Sequence, residues 1–310
     1  MENNVQNDNQ YDDEIDLKEL FDALWAGRKK IIFITALFAI ISVIYAFSLP
    51  DQYKATTLLA PAKSSDGSLS SALGQLSDLA SFAGVNVGGG ESSEAQIAQE
   101  IMKSWSFIES FIADNNLAPE VIATKGWDKG SNELHINDGI YDSENKKWLV
   151  ENEAGIYGPP SSWNLFEAFS ELLEVSEDTV SGLVTVSIEH YSPQISKKWL
   201  DMYVAAINSH MQQRQVTKAS SNINYLQAQI EKTSIAEMRE VFYSIIEEQT
   251  KNKMLAEASP EYVFVAVSPS MLPEQKSQPQ RALIFFVATL LGGMFSILLV
   301  LIMHYFRKTD

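Results

Sequence analysis

Two apolar stretches near the ends of the chain decide its fold. They read IIFITALFAIISVIYAFSL at residues 31–49 and ALIFFVATLLGGMFSILLVLIMHYF at residues 282–306. The first contains no charged side chain, and the only ionisable side chains of the second are His304 and Tyr305. A helix needs about 20 apolar residues to cross roughly 30 Å of hydrocarbon. We therefore predict a transmembrane helix from each stretch.

Basic residues flank both predicted spans on their terminal sides. They are Arg28, Lys29, Lys30, Arg307 and Lys308. Because basic flanks stay in the cytoplasm, both termini are expected to be cytoplasmic and the middle of the chain periplasmic, in a bacterial inner membrane. A cleaved signal peptide is the alternative for the first span. It is disfavoured because the apolar run is too long, follows an acidic tail and precedes no small-residue cleavage site.

The domain organisation follows from these spans. Residues 1–30 and 307–310 form the cytoplasmic ends, and the periplasmic domain covers residues 50–281. A capping-box pattern at Asp16 and Glu19 precedes apolar residues at helical spacing. It predicts a short amphipathic helix on the cytoplasmic membrane face. Packing of this segment against the membrane helices is an equal alternative.

The middle of the chain reads as an α+β domain. Strands are predicted at residues 52–59 and 262–267, and a β-hairpin from residues 172–175 and 183–188, where apolar and polar side chains alternate. Helices are predicted at residues 69–80 and 92–115, on either side of a glycine cluster. The sequence thus predicts the fold class α+β, with two transmembrane helices flanking a periplasmic domain of strands and helices.

The long helix is predicted at about residues 194–257. No Gly or Pro occurs from residue 194 to residue 259, which favours a helix. A helix of this length cannot bury its apolar stripe against a compact domain, so we expect partner helices from other subunits. A helical hairpin with residues 92–115 is the alternative, and the polar stretch 212–221 is a candidate break. The stripe consists of Ile223, Leu226, Ile230, Met238, Phe242 and Ile245, with Val241 as the alternative to Phe242.

Two further groups of residues are candidate functional positions. Small residues in the second span form a stripe on which another helix can pack closely, although small residues are also common in membrane helices. This stripe comprises Ala288, Gly292, Gly293 and Ser296. A membrane-proximal linker held extended by prolines contains Pro269, Pro273, Pro279 and Arg281.

Composition narrows the function classes. The 310-residue chain has a net charge of −17, which argues against nucleic-acid binding. It has no cysteine, and we find no catalytic motif, metal-ligand spacing or phosphate loop. We therefore expect no enzymatic activity and no cofactor. Trp127, Trp148 and Trp163 are candidates for stacking on sugar rings, with burial in the core as the commoner fate.

Several segments together resemble the Wzz, or chain-length determinant, family of polysaccharide co-polymerases. The start of the chain, IDLKELFDALW at residues 15–25 followed by LPDQYKA at residues 49–55, is similar to the family's amino-terminal signature. The segments EYVF, SPS and PEQK between residues 261 and 276 are similar to its closing signature. LASFAG at residues 79–84 and HYSP at residues 190–193 also match, whereas residues 116–162 match least.

This resemblance implies a non-enzymatic regulator that sets the chain length of a lipid-linked polysaccharide such as O-antigen. It also implies that the periplasmic domain is an α/β base with a long projecting helix. The implied partners are further copies in a ring-shaped homo-oligomer, an integral-membrane polymerase, membrane lipid and the growing glycan. The branch without a kinase domain is expected, since four residues follow Phe306. A two-span membrane sensor and an exopolysaccharide export component are the alternatives.

Overall fold

A computed structural model describes residues 17–62, 90–151, 155 and 157–309. These residues form two compact units. One combines the amino-terminal residues up to Pro50 with those from Gln278 onwards, and the other runs from Asp51 to Ser277. The predicted helix at residues 69–80 lies outside the described residues, as does the capping residue Asp16.

Helices and strands are interspersed along the described chain, which confirms the predicted α+β class. The helices are α1 Leu17–Ser48, α2 Gly90–Met102, α3 Trp105–Asp114, α4 Ala118–Ile122, α5 Ser162–Leu172, α6 Pro193–Lys232, α7 Ala236–Ala258 and α8 Arg281–Thr309. The strands are β1 Tyr53–Pro61, β2 Thr124–Trp127, β3 Leu134–Ile136, β4 Tyr141–Asp142, β5 Lys147–Trp148, β6 Leu173–Glu177, β7 Val184–His190 and β8 Phe264–Ser268.

The first unit is an antiparallel pair formed by α1 and α8. Its apolar parts, Leu24–Ser48 and Arg281–Met303, have mean hydropathies of 2.5 and 2.6 and are long enough to cross a membrane. This confirms the two predicted apolar helices. The prediction of a separate amphipathic helix before the first span is wrong, because α1 runs unbroken from Leu17 to Ser48. The residues before the span are mostly strong helix formers without a proline, so nothing ends the helix there.

A four-stranded antiparallel sheet organises the second unit, in the order β6-β7-β1-β8. The predicted hairpin is confirmed as β6 and β7, with Leu173 opposite Ile188 and Glu177 opposite Val184. Val184, Val186 and Ile188 are fully buried, as the alternating pattern predicts. The last predicted strand is confirmed as β8, which pairs with β1.

The core of the second unit lies where α6 packs across β1 and β7. Aromatic rings fill much of it. The ring of Tyr203 on α6 lies 4.8 Å from that of Phe111 on α3 and 5.6 Å from that of Phe169 on α5, in both cases between centroids. Trp199 completes this cluster at 5.9 Å from Phe169. The sheet and helices α3, α5 and α6 therefore share one core.

A long helix is present, but the prediction that it runs unbroken over residues 194–257 is wrong. Helix α6 ends at Lys232 and α7 starts at Ala236, and the two lie antiparallel as a hairpin. The break falls at residues 233–235, where Thr233 and Ile235 have extended backbone angles, and not at the polar stretch 212–221. Threonine, serine and isoleucine are weak helix formers. Folding back lets α6 bury against α7 apolar surface that one straight helix would expose.

The remaining predictions for the second unit are partly corrected. The helix predicted at residues 92–115 is two helices, because the Ser104 side chain caps α3 by accepting a hydrogen bond from the Phe107 N–H at 3.4 Å. The hairpin of α6 is made with α7 and not with this segment. Residues 116–162, for which no helix or strand was predicted, contain α4 and two small hairpins, and α5 after them was not predicted either.

Candidate functional site: the membrane helix pair and the α6–α7 hairpin

The small-residue stripe of α8 faces α1. A Cβ atom at Gly292 would lie 2.6 Å from the Cβ of Phe38, so this position admits only glycine without a shift of the helices. Ser296 is fully buried, with its Oγ 3.4 Å from the Thr35 Oγ1. A Cβ at Gly293 would stand at an ordinary 3.9 Å from Thr35. The three residues thus occupy one seam between the helices.

Ala288 lies elsewhere on the same helix pair. It lines a cavity of about 480 Å³ between α1 and α8, together with Phe38 and Ser42. The polar lining of this cavity is slight, because the Ser42 hydroxyl donates to the Ala39 carbonyl of its own helix at 2.8 Å. The four predicted positions therefore divide between a tight seam and an apolar groove.

Sequence reasoning missed Gly27, a second close contact of the helix pair. A Cβ there would lie 2.3 Å from Val300 Cγ1. At the other end of the pair, the Arg281 Nε donates to the Ala46 carbonyl at 3.1 Å and its guanidinium lies over the Phe47 ring. The signal for Gly27 was a lone glycine inside a strongly helical stretch, which costs about 1 kcal/mol unless packing requires it.

The predicted linker leads from β8 back to the start of β1. Within residues 269–280 the chain forms no helix. Near Pro269, the Ser270 hydroxyl donates to the Asp201 carboxylate on α6. Beyond Pro273, the Ser277 N–H donates to the Gln52 carbonyl at 2.8 Å, and the Lys276 ammonium lies 3.3 Å from the Asp51 carboxylate. The first and last residues of the second unit therefore lie side by side. Pro279 and Arg281 belong to the first unit.

The predicted apolar stripe divides between the two helices of the hairpin. On α6, Ile230 is buried, and Ile223 and Leu226 are half-buried. On α7, Phe242 is half-buried, while Met238 and Ile245 are exposed. Other large apolar side chains of the hairpin are also exposed, namely Tyr225, Val241, Tyr243 and Met254. The hairpin is therefore a candidate interaction surface.

The buried side chain of Asn208, in the first half of α6, forms a polar clamp with β8 and the residue before it. The Asn208 Nδ2 donates to the Phe264 carbonyl, and its Oδ1 accepts from the N–H groups of Val263 and Phe264, all at 2.9 Å. Further along the helix, the Gln212 Nε2 donates to the Ala256 carbonyl at 2.9 Å. These bonds fix α6 against both the sheet and the end of α7.

Two titratable groups are buried beside the aromatic cluster. Burial lowers the pKa of His190 to about 4, although the Glu120 backbone opposes this shift. Its Nδ1 accepts from the Ser192 N–H at 3.1 Å, and its ring lies 4.8 Å from that of Trp199. Burial also raises the pKa of Tyr203, whose hydroxyl donates to the Met102 carbonyl. Both groups are therefore neutral at physiological pH and serve packing.

The tryptophans named as candidates for sugar stacking lie near the surface. Trp163 is 55% exposed, and its Nε1 donates to the Glu167 carboxylate at 2.9 Å. Trp127 and Trp148 are half-buried against Tyr53 and Tyr141. The structure places them apart from the main core. Among the described residues, no three His, Cys, Asp or Glu side chains are grouped as metal ligands would be.

Comparisons with known proteins address the amino-terminal part of the chain. Residues 13–115 match the family model described as Wzz, chain length determinant protein. The match covers the first span, β1 and the helices that follow it. No curated protein sequence gives a significant match.

Several solved structures are similar to the chain at low identity. A full-length bacterial polysaccharide co-polymerase is 12% identical, with a TM-score of 0.39, covering 95% of this chain and 99% of that one. A fragment of WzzB, the polysaccharide co-polymerase from Salmonella Typhimurium, is 12% identical with a TM-score of 0.29, covering 73% and 99%. A point mutant of WzzBSF, the Shigella flexneri lipopolysaccharide O-antigen chain-length regulator, is 7% identical with a TM-score of 0.23, covering 73% and 100%.

The resemblance seen at residues 15–25 and 49–55 lies within the segment that the family model matches. Residues 13–115 of this chain are thus similar to a Wzz chain length determinant domain.

Proposed function

We propose that this protein is a non-enzymatic regulator of polysaccharide chain length, with lipopolysaccharide O-antigen as the product. The observation that carries the proposal is the match of residues 13–115 to the Wzz chain length determinant model. The regulator spans the bacterial inner membrane with α1 and α8, keeps both termini in the cytoplasm and holds the unit Asp51–Ser277 in the periplasm.

The geometry of the second unit supports this arrangement. Its two ends lie side by side, joined by the hydrogen bond from the Ser277 N–H to the Gln52 carbonyl and by the ion pair of Lys276 with Asp51. A unit with adjacent ends can be held by two neighbouring spans without strain. The close seam at Gly292 supports such a pair of spans.

The protein acts as a homo-oligomer beside the membrane polymerase. Support for self-association comes from the exposed apolar side chains of the α6–α7 hairpin, such as Tyr225, Val241 and Tyr243. Membrane lipid surrounds the outer faces of α1 and α8, and the growing lipid-linked glycan is a further partner. Chain length is then a property of the assembly.

The decisive experiment compares the surface polysaccharide of cells with and without this gene, separated by length on a gel. We expect the deletion to lose the modal band while polymer is still made, and the restored gene to return the band. An unchanged length distribution after the deletion, in a parent strain shown to produce the protein, would overturn the proposal.

The membrane orientation has its own test, because the chain has no native cysteine. Lys129→Cys, at an exposed position of the second unit, should react in intact cells with a maleimide that cannot cross the inner membrane. Asn7→Cys should react only after the inner membrane is opened. The reverse pattern would contradict the orientation.

A further inference from the structure

A small polar cavity lies between α2 and α6 in the second unit. Its volume is about 200 Å³. Since a water molecule occupies about 30 Å³ in the liquid, the cavity has room for about seven waters, the size class of one sugar ring. Its buried floor includes Met211, which is only 5% exposed.

Two cations stand at this cavity, one helical turn apart on α6. They are Arg214 and Lys218, both exposed. Neither forms a salt bridge with any carboxylate among the described residues, although residues 51–281 contain 31 acidic and only 17 basic side chains. Two neighbouring cations that form no salt bridge among the described residues favour an external anion.

The opposite wall limits which anion fits. Glu94 on α2 lines the same cavity, and its carboxylate lies 3.5 Å from the Tyr262 hydroxyl. A carboxylate accepts hydrogen bonds from hydroxyl groups but repels a second anion, so it disfavours a compact, doubly charged phosphate. A ligand with hydroxyl groups on one side and a single negative charge on the other satisfies both walls.

The remaining lining suits a sugar ring. The Gln215 side-chain amide can both donate to and accept from hydroxyl groups, and the tyrosine ring and Met211 offer apolar surface to the C–H groups of a pyranose. Binding sites for small ligands commonly combine an apolar floor with a few polar groups of this kind.

We infer that this cavity binds a carboxylate-bearing sugar unit, with Arg214 and Lys218 holding the carboxylate and Glu94 accepting from the ring hydroxyls. The inference deepens the proposed function and rests on it for the source of the sugar, which is the polysaccharide whose length is regulated. The site then gives the regulator a direct contact with the glycan.

The test is a binding titration of the full chain in lipid nanodiscs with three probes. They are glucuronic acid, glucose, which lacks the carboxylate, and inorganic phosphate. We expect glucuronic acid to bind at least about tenfold more tightly than glucose, as one or two charge-assisted hydrogen bonds imply. Phosphate at equal concentration should not displace it. Equal binding of glucose, or displacement by phosphate, would overturn the inference.

Variants of α6 locate the binding. Arg214→Gln and Lys218→Gln should each weaken glucuronic acid binding about tenfold and leave the fold intact, since both side chains are exposed. Lys232→Gln is the matched control, because it removes the same charge from the same helix away from the cavity. Equal affinity of all three variants and the parent chain would rule the site out. This readout is independent of the polysaccharide gel, so failure here and failure of the proposed function are told apart.

Discussion

The side chain of Asn208 replaces a strand neighbour for Phe264. It donates to the Phe264 carbonyl and accepts from the Phe264 N–H, each at 2.9 Å, and it also accepts from the N–H of Val263. Phe264 is the first residue of β8 and is fully buried. The clamp therefore fixes where the returning chain joins the sheet, 17 residues before α8 begins.

Asn208→Ala should lower the free energy of unfolding of the second unit by about 2–4 kcal/mol, because it leaves three buried backbone groups without partners. Urea unfolding of the full chain in mild detergent, followed by tryptophan fluorescence, measures this. Asn222→Ala is the control on the same helix, since Asn222 is exposed and makes one 3.4 Å contact with Gln249. Its effect should stay within about 0.5 kcal/mol. Equal effects of the two variants would show that the clamp adds nothing.

The seam at Gly292 gives a functional prediction. Gly292→Leu places a side chain where Phe38 already stands, which costs about 1–3 kcal/mol or separates the helices. We expect the surface polysaccharide to become shorter or lose its modal length, as read on a gel. Gly293→Ala is the control, because its new Cβ meets Thr35 at an ordinary 3.9 Å.

Phe38→Ala combined with Gly292→Leu should recover part of the modal length, since it removes the side chain that blocks the leucine. A normal length distribution in the Gly292→Leu cells, with normal protein level, would contradict a role for this seam.

The sequence predicted those elements whose signal is local. The alternation at Val184, Val186 and Ile188 specifies a half-buried strand by itself, and the long apolar runs specify the membrane helices. Both patterns repeat over a few residues, so no knowledge of distant contacts is needed to read them.

The sequence did not predict those features that depend on contacts between residues far apart in the chain. The break at residues 233–235 has no Gly or Pro, and it forms because α7 gains contacts by folding back on α6. Asn208 reads as one polar residue in a helix, yet its partners lie 55 and 56 residues away. Gly27 meets Val300 only when the two ends of the chain pair. Such positions depend on tertiary packing, which outweighs local propensity.

Buried His190 should make the second unit acid-sensitive. Its pKa is lowered to about 4 in the folded state against about 6.5 in an unfolded chain, so the unfolded state binds the proton first as the pH falls. The destabilisation begins below pH 6.5 and reaches roughly 3 kcal/mol by pH 4. Urea midpoints between pH 7.5 and 4 measure it.

His190→Gln keeps an acceptor for the Ser192 N–H but cannot titrate, so its stability should fall less between pH 7 and pH 4.5 than that of the parent chain. His135→Gln is the control, because His135 is exposed. If His190→Gln and the parent chain follow parallel pH profiles, the histidine is not the sensitive group.

Self-association through the exposed apolar side chains of the α6–α7 hairpin can be tested by substitution. Val241 on α7 is 55% exposed. Val241→Glu would place a charge in an apolar interface between copies, and an unpaired buried charge costs several kcal/mol. We expect the full chain in detergent to shift to smaller oligomers in light-scattering measurements of molar mass, and the surface polysaccharide to lose its modal length.

Thr250→Glu adds the same charge at an exposed polar position of α7 and should leave both the molar mass and the modal length unchanged. An unchanged molar mass for Val241→Glu would exclude this face as the contact between copies, because no buried interface of that kind tolerates the charge.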